Sequence, residues 1–187
     1  MYADRLFNAL ERREPEPGML LLGAPGVSRS AILIVAYDGP RIIGVDLTVR
    51  SEAAVFNVMP EWHDLAFKPQ SFFIGGPLME QAVTALVVLK DSAPEGIVEF
   101  APLMGRLISG VDPSDLDGAI EGVRFFAGYH LWLKDELDAE IQDGEWYVTP
   151  ALGHDIASSG DVYAEAMRRQ DMPLPLYATF PEQPRDN

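Results

Sequence analysis

Val123, Phe125, Ala127 and Tyr129 alternate with Arg124, Phe126, Gly128 and His130. A period of two with this aromatic load predicts a strand, and Phe126 on the second face implies that both faces are covered. Gly128 within it marks a bulge or a close backbone approach. The period then changes. Leu133, Leu137 and Ile141 recur every four residues and share one face of a helix starting near Lys134. Trp132 and Leu137 are spaced as a hydrophobic staple, and the acids Asp135, Glu136 and Asp138 suit the positive end of that helix. Gly144 falls where a C′ glycine belongs. Trp146 to Thr149 is a second strand, stopped by Pro150. Arg124 to Ala151 therefore reads as strand, short helix, strand.

The rest of the chain is weaker in signal but consistent. Met19–Gly23 and Ala31–Tyr37 are short apolar runs of buried-strand type. Asp38-Gly39-Pro40 is a turn, and Arg41 to Val49 completes an antiparallel hairpin. Ser51 to Met59 predicts a helix capped by Ser51, with Ala54, Val55 and Val58 turned inward. Pro60 to Pro69 is irregular. Phe72 to Ile74 is a strand running into Gly75-Gly76-Pro77. Thr84–Lys90, Ile97–Phe100 and Arg106–Ser109 are further strands. Asp112 caps a short helix reaching Ile120, and Val162 to Gln170 is a helix with Val162, Tyr163, Ala166 and Met167 inward. Ala3 to Arg13 predicts an amphipathic helix, broken by Glu14 to Gly18. Asp171 to Asn187 holds four prolines and no period. The expected organisation is an N-terminal helical arm at 1–17, a domain at 18–170, and a Pro-rich tail at 171–187. The fold class is α+β, with a mostly antiparallel, bent sheet and peripheral helices.

Composition narrows the function classes. Of 187 residues, 48% are hydrophobic, enough for one core. No apolar run is long enough to span a bilayer as a helix, and MYADRLFNAL lacks the pattern of a secretory signal. Zero cysteines exclude disulfides, thiolate catalysis and cysteine metal sites, and they fit a cytoplasmic setting. Twenty-nine acidic against fourteen basic residues give −15. That field repels a phosphate backbone, so direct nucleic-acid binding is not expected, and with no spanning run no membrane partner is expected either.

Motifs for chemistry are few. Gly23 to Ser30 resembles a phosphate loop in outline, but Ser28 stands at the second required glycine and Arg29 at the lysine. The run that follows is β-rich rather than helical. A tight turn is the better reading, with Arg29 and Ser30 still able to meet a small anion. Gly75-Gly76 reads as a strand-to-loop corner, or as exposed backbone N–H groups around an anion. His63, His130 and His154 have no partners at metal-ligand spacing, no G-x-S-x-G elbow exists, and no motif calls for a cofactor.

Five blocks occur in the order of the AlgH/YqgE-like family, a bacterial family of uncharacterised function. They are GMLLLGAP (18–25), RSAILIVAYD (29–38), IIGVDLT (42–48), FFIGGP (72–77) and RFFAGYHLWLKDELDAEIQDGEWYVTPA (124–151). The resemblance implies a bifurcated sheet folded as a pseudo-barrel, and a protein without demonstrated activity. Such a protein would act by binding a small molecule or a protein partner, or as a transcriptional regulator working through a protein partner; an unrecognised enzyme is the third class. The family's third block usually continues Asn-Arg-Pro where this chain has Asp46-Leu47-Thr48. Its closing block usually carries Gly-Trp and Gly-Gln-Leu where this chain has Leu131-Trp132 and Asp135-Glu136-Leu137. The shared block ends nominate a cleft walled by Arg29, Ser30, Gly75, Gly76, Tyr129, His130 and Trp132, with Glu136 nearby. Ligand, partner and oligomeric state stay open.

Overall fold

Strand β9, Ile120–Leu133, is fourteen residues long and organises the molecule. The chain's structure, a computed structural model, describes residues 13–91, 95–100, 103–116 and 118–181. Among them run β1 (Met19–Gly23), β2 (Ala31–Asp38), β3 (Arg41–Asp46), β4 (Arg50–Ala54), β5 (Ser71–Ile74), β6 (Leu78–Leu89), β7 (Val98–Glu99), β8 (Met104–Leu107), β9 and β10 (Trp146–Pro150). Their order is β10-β1-β2-β3-β9-β6-β8-β7. One edge of β9 pairs β6. Its other edge pairs β3 through His130 to Leu133, and β5 through Phe126 and Ala127. The sheet therefore forks at β9, one branch leading through β3 to β10 and the other through β5 to β4. The β5–β9 pairing is parallel and all others between named strands are antiparallel. An α+β fold with a bifurcated, mostly antiparallel sheet results, and the sheet does not close into a complete barrel.

Among the described residues four short helices flank the sheet: α1 (Val55–Val58), α2 (Lys134–Gln142), α3 (Gly153–Ala157) and α4 (Val162–Arg168). Helix α2 follows its sequence pattern except at Leu133, which stands at the N-cap, ends β9 and is 45% exposed. Leu137 is buried, Trp132 packs in the same cluster, and Gly144 takes φ +80° just past the last turn. Elsewhere tertiary pairing overrides local pattern. The helix expected over Ser51 to Met59 shrinks to four residues, because Arg50 to Ala54 pairs with β5 and the Ser51 hydroxyl donates to Phe72 O at 2.8 Å. The helix expected from Asp112 is one 3₁₀ turn, Pro113–Leu116, and Ile120 already opposes Leu89 in the sheet. Sequence pattern did not reveal α3; Asp155 caps it by accepting from Leu152 N at 2.7 Å. The segment after α4 forms a 3₁₀ turn at Leu174–Tyr177 and buries Leu174 and Ala178 in the main core. The helix expected at 3–13 falls, apart from Arg13, outside the described residues.

Three apolar clusters divide between the two faces of the sheet. Leu20, Leu22, Leu33, Val45, Phe73 and Phe126 pack on one face under α3 and α4. On the other face, Phe72, Val123 and Phe125 pack with Trp62, and farther along Ile32, Ile34 and Ile42 pack with Leu137. Phe126 and Tyr129 lie with the same cluster although three residues apart. Strict alternation forbids that, so one extra residue is accommodated between them. Gly128, at φ +74°, is that residue. Beyond the bulge, His130 and Trp132 continue the face of Phe125 and Ala127.

Candidate functional site

Asp46 ends β3 opposite Ile32. Its backbone N–H donates to Gly75 O at 2.8 Å, tying the β3 end to the Gly75-Gly76 corner. The side chain turns inward and is 6% exposed. Its Oδ1 accepts from Thr48 N at 2.8 Å and from the Thr48 hydroxyl at 2.6 Å. A short acid two residues before a threonine forms this turn from local sequence alone. Burial pushes the Asp46 carboxyl above its ordinary range, against the pull of Thr48, of His130 and of the Ser30 hydroxyl that also bonds to it.

His130 approaches from β9, directly opposite Gly44. Its ring stacks on Trp132, with centroids 5.6 Å apart and planes 17° from parallel. Burial holds His130 below the usual histidine range, and the neighbouring Asp46 opposes that shift. Trp132 meets Trp146 edge-on at 6.1 Å, and Trp146 Nε1 donates to Glu140 at 2.7 Å. The result is a buried carboxylate and a half-buried imidazole near enough to influence each other's charge, beside an aromatic wall. Both are disfavoured as ions, and both can hold a hydrogen bond to a polar ligand atom.

An apolar cleft of about 500 Å³ opens on the same face. Phe72, Ile74, Val58, Val83 and Ala127 line it, with Ser51, Glu80 and Gln81 at its polar margin. Ile74 is 43%, Val83 47% and Val58 59% exposed. Ala127 lies three residues before His130, about 10 Å along the strand. Because of the Gly128 bulge the two point to one side of the sheet.

The nominated residues divide. Ser30 and His130 lie near Asp46, Trp132 reaches this region only by stacking on His130, and Gly75 supplies adjacent backbone. Gly75 N donates to Ala127 O at 2.7 Å, so that N–H belongs to the sheet rather than to an anion cradle. A Cβ on Gly76 would lie 2.2 Å from Tyr129 C, which is why only glycine fits beneath β9 there. Tyr129 itself packs on the opposite face. Arg29 points elsewhere: it donates to Ala178 O at 3.2 Å and Phe180 O at 2.7 Å, pairs with Asp161 at 2.6 Å, and lies over the Tyr163 ring. Glu136 is exposed and accepts from Leu133 N at 3.2 Å, closing the first turn of α2. Asp46 was absent from the nominated set although its departure from the family pattern and the Asp46–Thr48 spacing both marked it. Among the described residues no three His, Asp or Glu side chains converge to hold a metal ion, and no helix is long and apolar enough to cross a membrane.

Comparison with known proteins follows the same lines. The family model described as AlgH-like matches residues 18–175. A UPF0301 protein of Corynebacterium efficiens is 48% identical over 197 residues, covering 100% of this chain and 98% of that protein. The UPF0301 protein Rv0038 of Mycobacterium tuberculosis is 41% identical over 163 residues, covering 84% of this chain and 81% of that one. The crystal structure of protein DIP2367 from Corynebacterium diphtheriae matches with TM-score 0.89 and 43% identity, covering 96% of this chain and all of that one. The solution structure of AlgH from Pseudomonas aeruginosa matches with TM-score 0.59 at 16% identity, over 85% of this chain and 91% of that one, a likeness of fold.

Proposed function

The chain belongs to the AlgH-like family, a bacterial group without demonstrated activity, and within it we propose that this protein is a binding module for a small molecule with an apolar body and a polar end. The body lies in the cleft of Phe72, Ile74, Val83 and Ala127, and the polar end reaches toward Asp46 and His130. One observation carries the reading. A chain of −15 leaves an apolar cleft of about 500 Å³ open to solvent, in the size range of about 300–1,000 Å³ that ligand sites occupy. The lack of cysteine fits a reducing cytoplasm. A second reading, regulation exerted through a protein partner, draws on Phe56 and Met79, which are exposed beside the cleft.

Nile red, a neutral dye that brightens in apolar surroundings, tests the cleft. Expected is one saturable site on the full chain, lost in Ile74→Asp while the circular dichroism stays unchanged. Dye binding that survives Ile74→Asp, or no saturable site at all, overturns the proposal.

A further inference from the structure

Arg124 lies in the middle of β9 on the face opposite the cleft and is 3% exposed. A charged residue in the run Val-Arg-Phe-Phe was itself a signal in the sequence. Its guanidinium donates to Ile156 O at 2.7 Å, Lys68 O at 3.1 Å, Ala157 O at 3.1 Å, Ser158 O at 3.2 Å and Pro69 O at 3.4 Å. It also sits 4.5 Å over the centre of the Phe73 ring. These are dipoles and a ring face, and among the described residues no carboxylate pairs with it. Carbonyl oxygens solvate a buried cation but leave its charge uncompensated.

Arg50 stands beside it. It is the register partner of Phe73 across the β4–β5 pair, so it shares the sheet face of the ring that Arg124 covers. Arg50 Nε donates to the hydroxyl of Ser71 at 3.3 Å. Its head is exposed, and among the described residues it has no acidic partner either. Four other arginines find carboxylate, Arg29 with Asp161, Arg41 with Asp38, Arg106 with Glu99, and Arg169 with Asp155, while the solvent-exposed Arg13 and Arg168 have no acidic partner among the described residues. What sets Arg50 and Arg124 apart is that the two guanidiniums are neighbours, one of them buried, and share no counter-ion among the described residues, in a chain holding twenty-nine acids. Burial first and the charge of Arg50 second hold Arg124 down to about 10.

We propose that Arg50, with the Ser71 hydroxyl beside it and Arg124 behind, binds the phosphate group of a ligand. A guanidinium fork matches two oxygens of a tetrahedral oxyanion. Ser71 is nearly buried and keeps its hydroxyl proton for a third. The anion supplies the missing counter-charge to both arginines at once. This site is on the far face of β5 from the apolar cleft and stands independently of it.

The test uses inorganic phosphate on the full chain, at constant ionic strength balanced with chloride, read by thermal unfolding and isothermal titration. Expected is saturable binding, with a rise in Tm of about 5–10 °C at a hundredfold excess over Kd. Arg50→Gln and Ser71→Ala lose that rise while still unfolding cooperatively, and Ile74→Asp keeps it. Without phosphate, Arg50→Gln melts no lower than the parent, because a like charge beside Arg124 has gone; a purely structural role for Arg50 would lower it. Phosphate no better than chloride, an undiminished rise in Arg50→Gln, or acetate matching phosphate each overturns the assignment.

Discussion

Replacing Asp46 by Asn isolates the cost of the buried carboxylate. Asn keeps the Oδ1 acceptor, so the bonds from Thr48 N and its hydroxyl at 2.8 and 2.6 Å persist in weaker, uncharged form. That weakening costs about 1 kcal/mol for each bond, the difference between charged and neutral acceptors. Against it stands the desolvation of a carboxylate only 6% exposed, several kcal/mol for an ion taken out of water. Burial is the largest influence on this group and raises its pKa, so desolvation wins over the bonds. The net gain for Asp46→Asn at neutral pH is on the order of 1 kcal/mol, or about 2–4 °C in Tm for a domain of this size. The sign with pH follows. A carboxyl whose folded pKa stands above its unfolded value supplies stability below the unfolded pKa and loses it as pH rises through the folded pKa. The parent therefore falls behind the variant as pH climbs from the ordinary Asp value of 3.8. His130 adds in the same direction. Its depressed pKa makes acid destabilising, and without the Asp46 charge that penalty grows in the variant below about pH 6.5. Melting both proteins from pH 5 to 8 should show a Tm gap that favours the variant and widens with pH. A gap that is negative at every pH, or that narrows as pH rises, would refute the reasoning.

Arg29→Ala should free the chain after α4, since Arg29 alone joins Ala178 O, Phe180 O and Asp161. With the side chain partly solvated, the loss is about 1–2 kcal/mol, felt locally as faster hydrogen exchange around Leu174 to Phe180; unchanged protection there would mean the contacts are idle. Gly76→Ala drives a Cβ to 2.2 Å from the Tyr129 backbone, where no flexible side chain can yield. Urea unfolding should record a loss of about 3 kcal/mol or more, and a change below about 0.5 kcal/mol would disprove the close approach.

The parts of the fold legible in the sequence were those fixed by neighbours along the chain. Leu137 and Ile141 set the face of α2, Trp132 and Leu137 its entry, and Gly144 its end, all within thirteen residues, whereas Leu133, which shares the spacing, ends β9 and stays exposed. The failures were set from a distance. Ser51 has the chemistry of a cap, but Phe72 O takes its hydroxyl and β5 takes its backbone. Among the residues nominated for a cleft, Ser30, His130 and Trp132 sit at block ends and lie on the sheet face that carries Asp46. Asp46 was passed over because its burial depends on β3, β5 and β9 meeting, which no local pattern announces. Arg29 and Glu136 are polar and well placed in sequence, and their side chains bond to the chain itself, Arg29 to Phe180 O and Glu136 to Leu133 N.

One extra residue at Gly128 governs what the two faces of β9 can do. Were the strand regular, Ala127, Tyr129 and Leu131 would share a face, and His130 would turn toward the main core beside Phe126. The carboxylate of Asp46 would then be buried without its imidazole. With the bulge, the apolar floor at Ala127 and the polar group at His130 lie on one side, while Arg124 and Phe126 keep the other. The same bulge brings Gly128 against Gly76, where a Cβ on Gly128 would fall 2.4 Å from Gly76 O. That contact fixes the Gly75-Gly76 corner, and Gly75 O in turn receives the Asp46 backbone N–H. The corner that sequence reading offered as a strand-to-loop turn or an anion cradle is thus structural: its glycines let three strands close around Asp46.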